Sequence, residues 1–75
     1  MNKIIEKYKC PCCGFYTFDE KPNGNYDICP VCFWEDDPIQ LEDNKYEGGA
    51  NRVSLIQARH NFLLFGACEE EMKKH

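Results

Sequence analysis

Apolar positions fall in short runs through the first half of the chain and become periodic only in the second. Phe15-Tyr16-Thr17-Phe18 is aromatic and β-branched, a composition that favours a strand. The polar stretch Asp19 to Asn25 follows, with Asn23-Gly24 its strongest turn signal. Tyr26-Asp27-Ile28 reads as a returning strand, so the pattern predicts a β-hairpin. Ile4 to Lys9 predicts a further short strand ahead of it. Residues 35–52 are polar and rich in turn formers: Asp36-Asp37-Pro38, Asp43-Asn44 and Gly48-Gly49. They predict an acidic loop, ordered because Leu41 and Tyr46 need somewhere to pack.

The period then changes to that of a helix. At about 100° per residue, Leu55, Ala58, Phe62 and Phe65 share one face, flanked by Ile56 and Leu63. This predicts a helix over 54–65. Ser54 is a good N-cap, and Gln57 three residues later completes a capping box. Gly66 stands where a helix-ending left-handed glycine belongs. Residues 66–75 form a short tail. Glu69–Glu71 early and Lys73 and Lys74 late suit a second helical turn, with a frayed terminus the alternative.

Arg59 falls inside the apolar stripe of this helix. A buried, unpaired guanidinium is costly, so Arg59 needs an acidic partner or a route to solvent. The nearest candidates are in Glu35-Asp36-Asp37, otherwise read as a solvated acidic loop.

Length adds a constraint. A chain of 75 residues is one domain, 1–75, and folding at this size buries only roughly 60% of the unfolded surface. Small domains of this kind commonly add a metal or disulfides. The chain has six cysteines. Four of them form Cys10-Pro11-Cys12-Cys13 and Cys29-Pro30-Val31-Cys32, two C-x-x-C units separated by fifteen residues. That spacing fits a four-thiolate site, because each short gap lets two sulfurs turn toward one ion. Cys10, Cys13, Cys29 and Cys32 are therefore the candidate metal ligands, and zinc the expected metal. The stretch Met1 to Lys7 has an apolar run too short for a signal peptide, and no stretch approaches a membrane span. A reduced, cytoplasmic setting is expected, where paired C-x-x-C motifs favour metal over disulfide.

The remaining candidates read more plainly. Cys12 sits at the x position of its knuckle and points away from the ion as a packing residue, with exchange for Cys13 the alternative. Cys68 reads as a small apolar residue of core or surface. His60 projects roughly 140° round the helix from Leu55, toward the polar side, and His75 is terminal. Trp34 and Phe33 read as a lid over the sulfurs. The residue after the second cysteine of a knuckle often needs a positive φ. Gly14 suits that role, whereas Phe33 is strained there, which predicts a different turn in the second knuckle. The formal charge is −4, and four ionised thiolates with one divalent ion make it −6. That acidity disfavours nucleic acid. The sequence contains no nucleophile–base constellation and no phosphate loop, and four sulfur ligands leave no open metal position, so no enzyme is expected.

The strings Tyr8-Lys9-Cys10-Pro11-Cys12-Cys13-Gly14, Tyr26 through Asp37, Gly48-Gly49-Ala50-Asn51, Ser54-Leu55 through Ala58-Arg59 and Asn61-Phe62, and Phe65-Gly66-Ala67 resemble the cysteine-rich CPCC family of small, mostly bacterial proteins. The resemblance spans Tyr8 to Cys68 and implies no particular activity. The knuckles are also similar to those of rubredoxins, which hold iron for electron transfer. Phe33-Trp34 in place of a glycine, and the capped helix, depart from that pattern. The expectation is a small α+β metal-stabilised domain: a zinc-ribbon or rubredoxin-like hairpin with knuckles over 8–34, the acidic loop 35–52 and one C-terminal helix. The expected function is a structural zinc-binding module that binds another protein. A rubredoxin-like iron redox protein is the alternative, and a nucleic-acid-binding ribbon the third.

Overall fold

A computed structural model describes residues 7–72. The fold is α+β, with the elements in the order β1 (Tyr8–Lys9), β2 (Tyr16–Phe18), α1 (Pro38–Glu42) and α2 (Leu55–Phe65), followed by a 3-10 turn at Glu70–Met72. The Ile4 to Glu6 part of the first expected strand, and Lys73, Lys74 and His75, lie outside the described residues.

The strand pairing differs from the expected hairpin. β2 pairs antiparallel with β1, Tyr8 opposite Phe18 and Lys9 opposite Tyr16, and not with Tyr26–Ile28. Residues 26–28 turn instead to the segment after the second knuckle. Tyr26 N–H donates to Asp36 O, Asp36 N–H to Asp27 O and Cys29 N–H to Trp34 O, each at 2.9 Å. Two ribbons result, each folded over its own knuckle.

The turn at Asn23-Gly24 is held by a side chain, not by strand pairing. Asp36 Oδ2 accepts the N–H groups of Asn23, Gly24 and Asn25 at 3.0–3.1 Å. A carboxylate that collects three N–H donors is a strong local organiser. Gly24 has φ +102°, and a Cβ there would sit 2.6 Å from Pro38 Cβ, so the turn needs glycine twice over.

The acidic loop contains a helix that periodicity could not show. Asp37 caps α1 by accepting from Ile39 N–H at 2.7 Å and Gln40 N–H at 3.2 Å, and Pro38 occupies the first turn. Asp36 and Asp37 are buried, not solvated. The rest of the loop winds around Gln40, which is fully buried. Its Nε2 donates to the carbonyls of Tyr46, Asn51 and Val53 at 3.0–3.1 Å, while Oε1 accepts from the backbone N–H and Nδ2 of Asn51. Asn51 reaches across to Glu35, accepting from its N–H at 2.9 Å and donating to its C=O at 2.7 Å.

The expected long helix forms as read. Ser54 Oγ accepts from Gln57 N–H at 3.1 Å, and Gly66 ends α2 at φ +77°. Only half of the capping box closes, because Gln57 turns its amide to Asn61 Oδ1 at 2.8 Å. Leu55 and Ala58 are buried and Phe62 and Phe65 partly so. Ile56 and Leu63 face outward, Leu63 with 83% of its surface exposed. The apolar cluster that this face joins is Cys10, Cys12, Phe18, Cys29, Cys32, Trp34, Leu55, Ala58 and Cys68. Five of these nine residues are cysteines, so little of the core is hydrocarbon.

Candidate metal centre

The two knuckles fold alike. In the first, Gly14 N–H donates to Cys10 O at 2.9 Å and Cys10 N–H to Phe15 O at 2.8 Å. In the second, Phe33 N–H donates to Cys29 O and Cys29 N–H to Trp34 O, both at 2.9 Å. The middle amides turn in toward sulfur, Cys12 N–H to Cys10 Sγ and Val31 N–H to Cys29 Sγ, each at 3.4 Å. Gly14 has φ +83° and Phe33 φ +71°. The second knuckle therefore does not turn differently, as the sequence had suggested. Phenylalanine adopts the left-handed backbone that glycine takes in the first.

This arrangement brings Cys10, Cys13, Cys29 and Cys32 together. Their sulfurs all lie within 4.8 Å of one another. Across the knuckles, Cys10 and Cys32 are 3.6 Å apart and Cys13 and Cys29 3.8 Å. A regular tetrahedron with metal–sulfur distances of about 2.3 Å has edges of about 3.8 Å. Four sulfur donors on such edges could hold a metal ion. All six cysteines are free thiols, so no disulfide competes for these ligands.

The thiols are not equivalent. The Cys32 thiol and burial raise Cys10 far above the ordinary thiol range. Burial pushes Cys13 up to about 12, against the Phe15 N–H. Cys32 is raised too: the Cys10 thiol favours its thiolate, but the Cys12 thiol and burial outweigh that. Cys29 goes the other way. Burial opposes its ionisation, but the Thr17 hydroxyl, 3.1 Å from its sulfur, and the N–H groups of Cys32 and Val31 bring it down to about 7. Cys29 is thus the most readily ionised of the four and its neighbours favour their protons, as expected where like charges crowd one site.

A family model described as Cysteine-rich CPCC matches residues 8–75. The chain belongs to the cysteine-rich CPCC family. A comparison with curated proteins gives no match. The resemblance seen in the knuckle and helix residues is therefore a true membership.

Around the centre of this family member, the other candidates take structural places. Cys12 is buried in the core and outside the group of four. Cys68 is fully buried, where burial and the Glu69 charge push its thiol up to about 12. Its N–H donates to Cys32 O at 2.8 Å, which straps the tail to the second knuckle. Trp34 is fully buried in the same cluster, with no hydrogen-bond partner for Nε1 among the described residues. His60 is exposed.

Arg59 does tie the helix to the first knuckle, but through another partner. It is exposed, and its Nε donates to Pro11 O at 2.8 Å. Two of the acidic trio are committed elsewhere: Asp36 to the 23–25 turn, and Asp37 to the α1 cap and Ala50 N–H at 2.8 Å. Burial opposes the Asp37 charge, but the N–H groups of Ala50, Gln40 and Ile39 hold its carboxyl below the usual carboxylate value. Sequence reasoning gave no structural role to Gln40, and named Asn51 only within the family resemblance. A lone amide in a polar loop carries no periodic signal, and Asp37-Pro38 was the one available clue to the helix that buries Gln40.

Proposed function

We propose that the four thiolates hold one zinc ion in a structural role, in a zinc-ribbon-like domain that serves as a recognition module for another protein. The gathering of the four sulfurs carries this reading: all lie within 4.8 Å of one another, and the two distances across the knuckles, 3.6 and 3.8 Å, are close to the edge of a four-thiolate tetrahedron. Four protein ligands leave no position for water or substrate, so the site supports folding and not catalysis. Zinc bound this way contributes about 10–16 kcal/mol to folding, which offsets a core made largely of cysteine side chains. Free thiols throughout suit a reducing cytoplasm. Among the described residues, no helix is long and apolar enough to cross a membrane. Many large apolar side chains are exposed among the described residues, which suits a protein partner, and the acidic charge opposes nucleic acid.

Elemental analysis of protein purified without added metal, joined to co-purification from native cells, tests this reading. One zinc per chain and a stoichiometric protein partner, free of nucleic acid, is the expected result. Iron, with visible colour and reversible one-electron chemistry, would replace it with a rubredoxin-like electron carrier. A metal-free chain that folds fully would overturn it.

A further inference from the structure

The second ribbon carries a pocket of about 430 Å³, and its open surface is mostly apolar. Ile28 and Phe33 line it from the ribbon, Met72 from the tail and Asn51 from the loop, and Glu35 and Glu69 also belong to its lining. Ile28 is 58% exposed and Met72 37%. Phe33 is half-buried: part of its ring covers the core and the rest forms the pocket.

Two observations single out this pocket. The first is backbone strain. The knuckle demands a left-handed residue at position 33, and the first knuckle meets the same demand with Gly14. A bulky side chain in that conformation is a true outlier, and such strain persists where the side chain is needed. The second is charge. Glu69 is already paired with Arg52, whose Nε lies 3.1 Å from Glu69 Oε1. The Glu35 carboxylate has no ion-pair or hydrogen-bond partner among the described residues, although the residue is half-buried. A carboxylate without a partner among the described residues, at an apolar hollow in an acidic chain, complements a cation flanking an apolar anchor.

We infer that this pocket is the recognition site of the domain, and that it takes a segment of a partner protein in which one apolar side chain is flanked by lysine or arginine. The inference rests on the reading of the domain as a protein-binding module and names the site and the partner's chemistry. The apolar side chain enters between Ile28, Phe33 and Met72, and the flanking cation meets Glu35.

The test uses the full metal-loaded chain and short labelled glycine/serine peptides carrying a central Arg-Leu-Arg, Glu-Leu-Glu or Arg-Ser-Arg. Saturable binding of the Arg-Leu-Arg peptide, and of neither control, is expected. Phe33→Gly leaves an unstrained knuckle backbone and removes the ring, so affinity should fall by about tenfold or more. Glu35→Lys, which alters no backbone bond, should transfer the preference to the Glu-Leu-Glu peptide and guards against a folding defect in the first variant. Absence of saturable binding, or binding that neither variant changes, would overturn the inference. Self-association that Phe33→Gly abolishes would overturn it as well, by making a second copy the occupant. Metal content and melting are read on the same samples. A folded, zinc-loaded chain that ignores the peptide rejects this site and leaves the module reading standing, whereas a folded chain without metal rejects the module reading itself.

Discussion

The two halves of the molecule solve the same problem by different chemistry. The knuckles gather four thiols that repel one another's ionisation and need a cation to reconcile them. The loop of residues 43–53 is instead wound on the Gln40 carboxamide, which satisfies carbonyls and amide N–H groups at once. Neither half has a large hydrocarbon core. One gathers ligands that could hold a cation, the other is organised by a neutral group of its own. A chain this short can therefore be ordered by coordination and by a saturated polar centre side by side, provided that every buried donor finds an acceptor.

Removing the metal breaks the first half and gives the largest effect. A strong chelator should abolish the cooperative thermal transition, and Cys29→Ser should behave like the chelated protein. Cys12→Ser should keep its metal and its transition, because Cys12 lies outside the four-sulfur group. Metal loss in Cys12→Ser, with retention in Cys13→Ser, would reverse the ligand assignment in the first knuckle. Amide hydrogen exchange at Asn51, followed during chelation, would show whether the Gln40 half survives alone.

Acid should have the next largest effect, and again on the first half only. With Cys13 raised to about 12, Cys10 and Cys32 raised as well and Cys29 lowered to about 7, the metal-free site holds most of its protons at neutral pH. A metal ion bound here must displace them. Titration calorimetry in buffers of different ionisation enthalpy should show about four protons released per ion near pH 7, because the metal-free chain unfolds and its thiols take ordinary values. The unfolded chain binds protons with ordinary thiol values near about 8.5, while the metal-bound fold holds four thiolates. The unfolded state therefore carries more protons below that range, and stability falls as pH falls.

Gln40→Ala breaks the second half. It leaves the carbonyls of Tyr46, Asn51 and Val53 and the Asn51 backbone N–H without this partner, while Asn51 Nδ2 keeps only its bond to Glu35. Each buried orphan costs about 1–3 kcal/mol, so denaturant melts should show a loss of about 3 kcal/mol or more, with metal content unchanged. Arg59→Met is the mildest change. Arg59 is exposed and donates to a single carbonyl, so its removal should cost within about 1 kcal/mol in the same melts. A much larger loss would mean that the link between α2 and the first knuckle carries more of the fold than its exposure suggests.

The site was more legible in the sequence than the fold. Two C-x-x-C units constrain geometry through bond lengths alone, and Ser54 and Gly66 mark the ends of α2 by local chemistry. Strand pairing was misread because Asn23-Gly24 looks like a hairpin turn whatever holds it, and the Asp36 carboxylate that does so lies far along the chain. Helix α1, Pro38–Glu42, is too short to show a period. Arg59 was placed in the apolar stripe by angle, but a long side chain reaches past its neighbours to solvent and to a carbonyl. Gly49 could not be understood before the loop was seen: a Cβ there would stand 2.5 Å from Asp37 Oδ2.

The grip of Asn51 on Glu35 has a further consequence for life in a crowded solution. A short ribbon with bare N–H and C=O groups along one side is a template on which a passing chain can lay a strand. At Glu35 those groups are filled by the two ends of one carboxamide, which imitates the peptide unit of a neighbouring strand without extending the sheet. The mimic ends where it begins, so it offers no new row of donors to the next molecule. A domain that exposes several aromatic and aliphatic side chains is thereby denied, at that edge, the backbone ladder on which fibrils grow.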